Sequence, residues 1–301
     1  MNILYLCTQI INSLLKIANM KRILFLTTLF CAALVMQAQM PRMAEPGKTD
    51  QTARKFTLDL TEDGKAQMVC FLPTKPSGKA IVGIPGGGYS VLSNTHEGTM
   101  AADWLNQKGI AYFVVNYRLP EGNRMIPMSD VWQGFRIVRD SATVWGINPR
   151  DVGIMGFSAG GHLASVISTH APFDVRPDFS ILFYPVISMD ERESHQGSVV
   201  GFLGEQKSNP QLVFEFSNFN AVRPGETPPA ILILANDDRA VPPLTNGLPY
   251  YTALCRAGIP CAYYAYPSGG HGFGFRPAFK YHDQMLNELT NWLRNLKAKS
   301  K

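Results

Sequence analysis

Charged residues are scarce in this sequence, and it contains no block of lysines and arginines. Aspartate, glutamate, lysine and arginine make up 17% of the 301 residues, and the net charge is only +5. Because nucleic-acid-binding proteins usually carry a concentrated basic patch, the chain is not expected to bind nucleic acid. Its hydrophobic content of 46% instead indicates an ordinary globular protein with a substantial core.

Cysteines are also few, and their spacing excludes the common metal sites. The chain has five, and none lies with other cysteines or histidines at the spacing of a metal-binding motif. Cys7 and Cys31 lie in the N-terminal segment that is expected to be removed. Of the other three, Cys255 and Cys261 could form a disulfide, which would leave Cys70 as an odd thiol, and that pairing stays open. We expect neither a metal ion nor another cofactor.

The sequence lacks an apolar run long enough to span a membrane, but one near the N-terminus has the form of a secretory signal peptide. Lys21 and Arg22 precede the apolar residues 23–35, and the small residue Ala38 follows. A basic segment, about a dozen apolar residues and a small residue are typical of a signal peptide, whereas a spanning helix needs about 20 apolar residues. We expect export to the periplasm or the extracellular space, with cleavage near Ala38 and no other membrane association.

The remaining N-terminal residues are expected to add no folded structure. Met20 is expected to be the true start, which makes residues 1–19 a spurious extension of the signal peptide that ends at residue 39. Phe30 before Cys31 disfavours a lipoprotein signal, since small residues normally precede a modified cysteine. Residues 40–55 are polar and contain proline, so they predict a flexible leader, and residues 56–298 predict one folded domain.

Short apolar runs alternate with longer amphipathic stretches through this domain. The apolar runs predict strands at residues 80–84, 110–117, 152–156, 179–186, 230–235 and 261–266. The amphipathic stretches predict helices at 99–108, 129–145, 160–170, 245–257 and 280–296. Such alternation indicates an α/β fold with a mainly parallel central sheet and helices on both faces. Residues 190–229 break the alternation and predict a small, loop-rich cap over the strand ends.

A G-x-S-x-G pentapeptide at residues 156–160 places Ser158 between a predicted strand and a predicted helix. This pattern forms a sharp turn that exposes the serine hydroxyl. Because a serine hydroxyl is a weak nucleophile at neutral pH, it needs a histidine to accept its proton and a carboxylate to orient that histidine. Ser158 is the predicted nucleophile.

His271 is the predicted base among the six histidines. It lies in a glycine-rich loop, residues 268–274, directly after a late strand, where the carboxyl ends of parallel strands meet the nucleophile. His162 is four residues past Ser158 on the same helix and is expected to pack. For His96, in the loop after the first glycine run, contact with substrate and exposure to solvent both stay open.

The orienting carboxylate is predicted in the loop after the strand at 230–235. The spacing D-x-x-V-P places Asp238 in the turn, with Val241 and Pro242 packed behind it. Asp237 is the alternative.

A serine nucleophile also requires amide donors for the oxyanion of its tetrahedral intermediate. The Ala159 amide follows the nucleophile and is one predicted donor, and the glycine loop at 85–89 is expected to supply another. A phosphate cradle is the competing interpretation of this loop, but neither phosphate-binding glycine motif is present.

Together these motifs resemble a secreted bacterial α/β-hydrolase of the acetylxylan esterase-like group, over about residues 81–292. The resemblance rests on Pro-Gly-Gly-Gly-Tyr at 85–89, Tyr-Arg-Leu-Pro at 117–120, Gly-Phe-Ser-Ala-Gly-Gly-His-Leu at 156–163, Asp-Asp-Arg-Ala-Val-Pro at 237–242 and Gly-His-Gly-Phe-Gly at 270–274. It implies an α/β-hydrolase fold, with Ser158 as nucleophile, His271 as base and Asp238 as orienting residue. The same resemblance implies an oxyanion hole formed by the amides of Gly87, Gly88 and Ala159.

The resemblance also implies a reaction. It points to a serine carboxylic ester hydrolase that forms an acyl-enzyme and deacetylates xylan or xylo-oligosaccharides, with an oligosaccharide or small-molecule ester as its partner. A serine peptidase of the prolyl-oligopeptidase type shares the order serine, aspartate, histidine, but usually carries a large extra domain. A non-catalytic binding protein on the same fold is the other alternative, and the complete set of catalytic residue types argues against it.

Overall fold

An eight-stranded sheet runs through the centre of the structure, a computed structural model that describes residues 55–296. The predicted start at Met20, the signal peptide with its cleavage near Ala38 and the leader up to residue 54 lie outside the described residues. Within residues 55–296, no helix is long and apolar enough to cross a membrane.

Six of the eight strands are parallel. In chain order the strands are β1 (Lys55–Asp59), β2 (Gln67–Phe71), β3 (Gly78–Ile84), β4 (Ala111–Asn116), β5 (Ile147–Phe157), β6 (Ser180–Phe183), β7 (Ala230–Ala235) and β8 (Cys261–Tyr266). They lie side by side in the order β1-β2-β4-β3-β5-β6-β7-β8. β1 and β2 pair antiparallel at one edge, β2 is antiparallel to β4, and β3 to β8 are parallel. The predicted mainly parallel sheet is confirmed.

Helices connect the parallel strands. They are α1 (Ala102–Gln107), α2 (Met125–Asp140), α3 (Ala142–Trp145), α4 (Ala159–His170), α5 (Gln196–Leu203), α6 (Pro210–Phe216), α7 (Gly247–Arg256) and α8 (His282–Asn295). On one face of the sheet, Leu105 of α1 and Leu289 of α8 share a buried apolar cluster with Ile181 of β6. On the other face, α2 approaches so closely that a Cβ on Gly134 would lie 3.2 Å from Val115 Cγ2. Both faces are therefore covered, as predicted.

Four predicted elements differ from the structure. The strand predicted at 152–156 is Ile147–Phe157, so it begins five residues earlier than expected. The helix predicted at 129–145 begins four residues earlier, at Met125, and ends at Asp140, because Ser141 leaves helical geometry before the short α3 begins. The strand predicted at 179–186 is only Ser180–Phe183, since the backbone of Tyr184 turns to a φ of 33°. The predicted loop-rich cap contains the two helices α5 and α6, and each of them has an N-capping side chain.

Cys255 and Cys261 lie at the end of α7 and the start of β8, with their sulfur atoms 3.5 Å apart and both thiols free. We predict that oxidised glutathione converts them to a disulfide, because exchange needs only a small approach of two adjacent thiols. The chain would lose two hydrogen atoms as one glutathione disulfide becomes two thiols. Closing so short a loop is expected to stabilise the fold by about 2 kcal/mol. Intact mass and thermal unfolding measure this, with Cys255→Ser as control; a persistent glutathione adduct without the internal bond would contradict it.

Candidate active site

Ser158 occupies a strained turn between β5 and α4. Its φ and ψ are 53° and −121°, a region that residues with a side chain rarely adopt. The turn is held by backbone hydrogen bonds, because the Ser158 amide donates to the Phe183 carbonyl and the Ser158 carbonyl accepts from the amides of His162 and Val186. Such a turn presents the side chain of the serine at the carboxyl edge of the sheet.

The two glycines of the pentapeptide are required because neighbouring backbone carbonyl groups lie very close to them. A Cβ on Gly156 would lie 2.3 Å from the Gly160 carbonyl oxygen, and one on Gly160 would lie 2.2 Å from the carbonyl oxygen of Ile84 in β3. No side chain fits at either distance. The strand, the turn and the helix can therefore pack this tightly only with glycine at both positions.

Ser158, His271 and Asp238 form a chain of two short hydrogen bonds. Ser158 Oγ lies 2.7 Å from His271 Nε2, and His271 Nδ1 lies 2.6 Å from Asp238 Oδ2. The Asp238 carboxylate is buried, and its other oxygen accepts the amides of Ala240 and Val241 at 2.9 Å each. Because an ionised carboxylate only accepts, Nδ1 carries the ring proton and Nε2 is left to accept the serine proton. The structure thus brings together the three residues predicted from separate loops.

Asp237, the alternative orienting residue, contacts the backbone of the histidine loop instead of the imidazole. Its Oδ1 accepts the Gly270 amide at 2.8 Å, and this hydrogen bond is the main cause that lowers the pKa of Asp237 below its usual value. The geometry therefore assigns the contact with the ring to Asp238, and Asp237 holds the loop that carries His271.

The glycine loop after β3 lies beside the nucleophile. Gly87 and Gly88 have φ values of 118° and 65°, and they line the same surface cavity, of about 340 Å³, as Ser158 and His271. Within residues 55–296, the amides of Gly87, Gly88 and Ala159 donate to no protein acceptor. Three amides at this edge are therefore free to bind a substrate oxygen.

Most of the side chains that line this cavity carry a polar group, although apolar atoms make up the larger part of its exposed surface. Apart from glycines, its lining residues are Ser90, Val91, Ser93, His96, Glu97, Ser158, His195, Ala240 and His271. For His96, contact with substrate and exposure to solvent were both left open. His96 lines the cavity, which puts it within reach of a substrate, and its Nε2 also contacts Arg276. His195 was among the six histidines, but nothing in its sequence surroundings indicated a place at the site.

Glu97 and Tyr184 anchor the loop that carries His271, and neither of them was predicted from the sequence as a site residue. Glu97 is 3% exposed, and its Oε1 accepts the Tyr184 hydroxyl at 2.9 Å. The same hydroxyl accepts the Gly274 amide at 2.9 Å, and the tyrosine ring lies 4.8 Å from the ring of His271. Burial, with the nearby charge of Glu97, raises the pKa of Tyr184 well above its usual value. Tyr184 therefore stays a neutral hydroxyl that ties the loop of His271 to Glu97.

His162 packs inside the protein, as predicted. It is fully buried, its Nδ1 lies 2.8 Å from the Tyr89 hydroxyl and its Nε2 lies 2.9 Å from the Phe216 carbonyl. Since a carbonyl only accepts, Nε2 carries the proton and Nδ1 accepts from Tyr89. Burial lowers the pKa of His162 to about 4. The neutral ring joins the glycine loop, where Tyr89 follows Gly88, to the end of α6.

Comparisons with known proteins identify the family of this chain. The family model described as BD-FAE matches residues 70–247, more than half of the chain. The chain belongs to the BD-FAE family. The matched range contains Ser158, Asp238 and the glycine loop, whereas His271 lies beyond it.

Individual relatives of this BD-FAE chain include esterases. It is 64% identical over 280 residues to an acetylxylan esterase of Xylanibacter ruminicola, a match that covers 93% of this chain but only 56% of that protein. The chain thus spans about half the length of this curated relative. The predicted resemblance to the acetylxylan esterase-like group is confirmed.

Solved structures confirm the α/β-hydrolase fold of this BD-FAE chain. The acetyl ester-xyloside bifunctional hydrolase from Caldicellulosiruptor lactoaceticus superposes with a TM-score of 0.71 at 32% identity, covering 85% of this chain and 97% of that one. MGS-M1, an α/β-hydrolase from a deep-sea metagenome library, superposes with a TM-score of 0.62 at 25% identity, covering 79% and 96%.

The BD-FAE chain shows no clustered metal ligands in the part that the structure describes. Among residues 55–296, no three histidine, cysteine, aspartate or glutamate side chains come together closely enough to hold a metal ion.

His162 makes the stability of this BD-FAE protein depend on pH. An unfolded histidine takes up a proton near pH 6.5, whereas the buried ring takes it up only near pH 4. Between these values the unfolded state binds more protons, so the free energy of unfolding falls as pH is lowered, by about 3 kcal/mol in total. Urea unfolding at pH 7 and pH 5 measures the slope, and His162→Gln is expected to flatten it. A slope that the substitution leaves at the wild-type value would refute the assignment.

Proposed function

We propose that this chain is a serine carboxylic ester hydrolase that removes small acyl groups, acetyl above all, from xylan or xylo-oligosaccharides. The observation that carries the proposal is the hydrogen-bonded chain from Ser158 through His271 to the buried Asp238, at the edge of an open cavity. Similarity to an acetylxylan esterase and to an acetyl ester-xyloside hydrolase supports ester cleavage on xylan over peptide cleavage.

In the first half of the proposed reaction, Ser158 is acylated. His271 Nε2 accepts the hydroxyl proton as Ser158 Oγ attacks the ester carbonyl carbon, and Asp238 stabilises the imidazolium that results. The carbonyl oxygen becomes an oxyanion and accepts hydrogen bonds from the Ala159 amide and from the amides of Gly87 and Gly88. When the intermediate collapses, the carbon–oxygen bond to the sugar breaks, and His271 returns its proton to the departing sugar oxygen.

In the second half, water releases the acyl group. His271 takes a proton from a water molecule, whose oxygen attacks the acyl carbon, and the same amides accept the new oxyanion. The bond to Ser158 Oγ then breaks, His271 returns the proton to that oxygen and the free acid leaves. Every proton and bond is accounted for by protein groups and water, so the proposed cycle requires no metal ion or cofactor.

The character of the cavity supports a short acyl group. Its volume is about 340 Å³, and only Val91 and Ala240 contribute apolar side chains to its wall. A long acyl chain would need an extended apolar wall to leave water favourably, since burial of each methylene contributes about 0.8 kcal/mol. Acetyl requires no such wall, and a sugar alcohol can form hydrogen bonds with the polar side chains that line the cavity.

A series of aryl esters tests the proposal. We expect kcat/KM to be highest for 4-nitrophenyl acetate, lower for the butyrate and lowest for the octanoate, and acetate to be released from acetylated xylan. Covalent labelling of Ser158 by a fluorophosphonate separates an enzyme from a silent binding protein. Absence of both labelling and acetate release would reject the esterase, and preferential cleavage of a prolyl aryl amide would favour the peptidase.

We also propose that the protein is exported, with cleavage near Ala38. Lys21, Arg22 and the apolar residues 23–35 support this, through the basic and apolar segments that signal peptides share. Expression in a bacterium that has a secretion pathway, followed by fractionation and N-terminal sequencing, tests it. An uncleaved protein that stays in the cytoplasm would refute it.

A further inference from the structure

A second surface cavity adjoins the one that contains Ser158. It has a volume of about 590 Å³ and is lined by residues 191–197 together with Arg239, Ala240, Pro242 and Thr245. His195 and Ala240 line both cavities, so the two meet at these residues. We call the second cavity the outer cavity. A substrate whose ester bond lies at Ser158 can therefore continue past His195 into additional space.

The ring of His195 is held in place by the helix that follows it. His195 caps the N-terminus of α5, where its Nδ1 lies 3.2 Å from the Ser198 amide and 3.0 Å from Ser198 Oγ. Because an amide only donates, Nδ1 is an acceptor, and the proton of the neutral ring lies on Nε2. Within residues 55–296, Nε2 has no hydrogen-bond partner. It is therefore a fixed, unused donor in a ring that forms the wall between the two cavities.

The surroundings keep that ring neutral. Burial lowers the pKa of His195, and the nearby His271 lowers it further, while Asp238 opposes them. The ring of His195 also lies against the glycine loop, since a Cβ on Gly88 would be 3.2 Å from His195 Cε1. A neutral donor in this place is suited to an uncharged oxygen on the alcohol side of the ester.

The outer cavity is polar, and most of its charged side chains already have partners. Glu191 pairs with Lys207, and Arg192 pairs with Asp190. Arg239 forms no salt bridge with the described residues 55–296, although its charge acts on Asp237. A wall in which polar surface exceeds apolar surface, and which offers several donors and acceptors, fits a chain of sugar hydroxyls better than an acyl tail.

We propose that the outer cavity binds the carbohydrate chain of the substrate, and that His195 Nε2 donates a hydrogen bond to a sugar oxygen next to the scissile ester. The chain then passes Ala240 towards Arg239, which hydrogen-bonds sugar hydroxyls farther from the ester. This assignment rests on the proposed esterase function and deepens it, because it identifies a recognition site on the alcohol side that the catalytic residues alone do not provide.

Substitution of His195 by asparagine tests the donor while keeping the cap of α5. Asparagine is among the best N-capping residues, so its side-chain oxygen can accept the Ser198 amide, but no group then replaces Nε2. We expect the ratio of kcat/KM for monoacetylated xylotriose to that for 4-nitrophenyl acetate to fall about 3- to 10-fold, the effect of one neutral hydrogen bond. His282→Asn is the matched control and should keep the wild-type ratio, because His282 is a half-buried histidine at the start of α8 that lines neither cavity.

Arg239→Gln tests the far end of the outer cavity. In the wild type we expect kcat/KM to be higher for monoacetylated xylotriose than for monoacetylated xylose, and we expect Arg239→Gln to reduce that gain, mainly through KM. A wild type that gains nothing from the longer chain, or variants that keep both wild-type ratios, would overturn the glycan site while leaving the esterase intact. A wild type that hydrolyses no acetyl ester at all would instead reject the proposed function on which the site rests.

Discussion

Replacing Ser158 by alanine is expected to lower kcat for 4-nitrophenyl acetate by about 10⁴-fold or more. The substitution removes the only atom that can form the acyl-enzyme, while His271, Asp238 and the free amides stay in place. What remains is the rate of water attack on an ester held near those amides. Stopped assays at high enzyme concentration measure this residual rate, and a fluorophosphonate that labels the wild type should leave the variant unlabelled.

Because the backbone at Ser158 is strained, a second substitution can separate loss of activity from loss of folding. At φ 53° and ψ −121°, alanine keeps the strain of serine, whereas glycine adopts this conformation readily. Ser158→Gly is therefore expected to be as inactive as Ser158→Ala but more stable by about 1 kcal/mol, measured as a higher thermal midpoint. Turnover by either variant close to that of the wild type would reject Ser158 as the nucleophile.

Most of the parallel strands could be predicted from the sequence because they are buried on both faces. β7, for example, is buried at each of its six positions, so it is a continuous apolar run with clear ends. β1 and β2 were missed because neither is a continuous apolar run. β1 alternates between exposed and buried positions, with Lys55, Thr57 and Asp59 on its outer side, and β2 begins with alternating half-buried and buried positions. A segment of this kind becomes a strand through pairing with a neighbour, as β2 does with β4, and the sequence of the segment alone does not reveal that partner.

The central residues of the site were predictable for a related reason. Ser158, Asp238 and His271 each lie within a few residues of the end of a parallel strand, and the ends of parallel strands meet at one edge of the sheet. Glu97 and Tyr184 are 87 residues apart, and neither belongs to a short motif, so only the folded chain brings them together. His195 lies in the segment that breaks the strand–helix alternation. No strand or helix was predicted there, so the sequence did not indicate which of its side chains would reach the site.

Asp238→Asn is expected to lower kcat by about 10⁴-fold, because it reverses the tautomer of His271. The Asp238 oxygen that accepts the amides of Ala240 and Val241 must remain an oxygen, so the new NH₂ group would face His271 Nδ1. Nδ1 then has to accept, and the ring proton moves to Nε2, where it can no longer receive the proton of Ser158. The aryl acetate assay measures this loss in a variant that differs from the wild type by one atom type and little volume.

Asp237→Asn is the matched comparison, since it is the same substitution in the adjacent residue. Its side-chain oxygen can still accept the Gly270 amide, so the histidine loop keeps its anchor and we expect a loss of less than about 10-fold. If Asp237→Asn were the damaging change and Asp238→Asn the mild one, the orienting role would belong to Asp237. Equal, small losses in both would mean that the backbone alone positions His271. Only a large loss confined to Asp238→Asn fits a carboxylate that acts by fixing the ring proton on Nδ1.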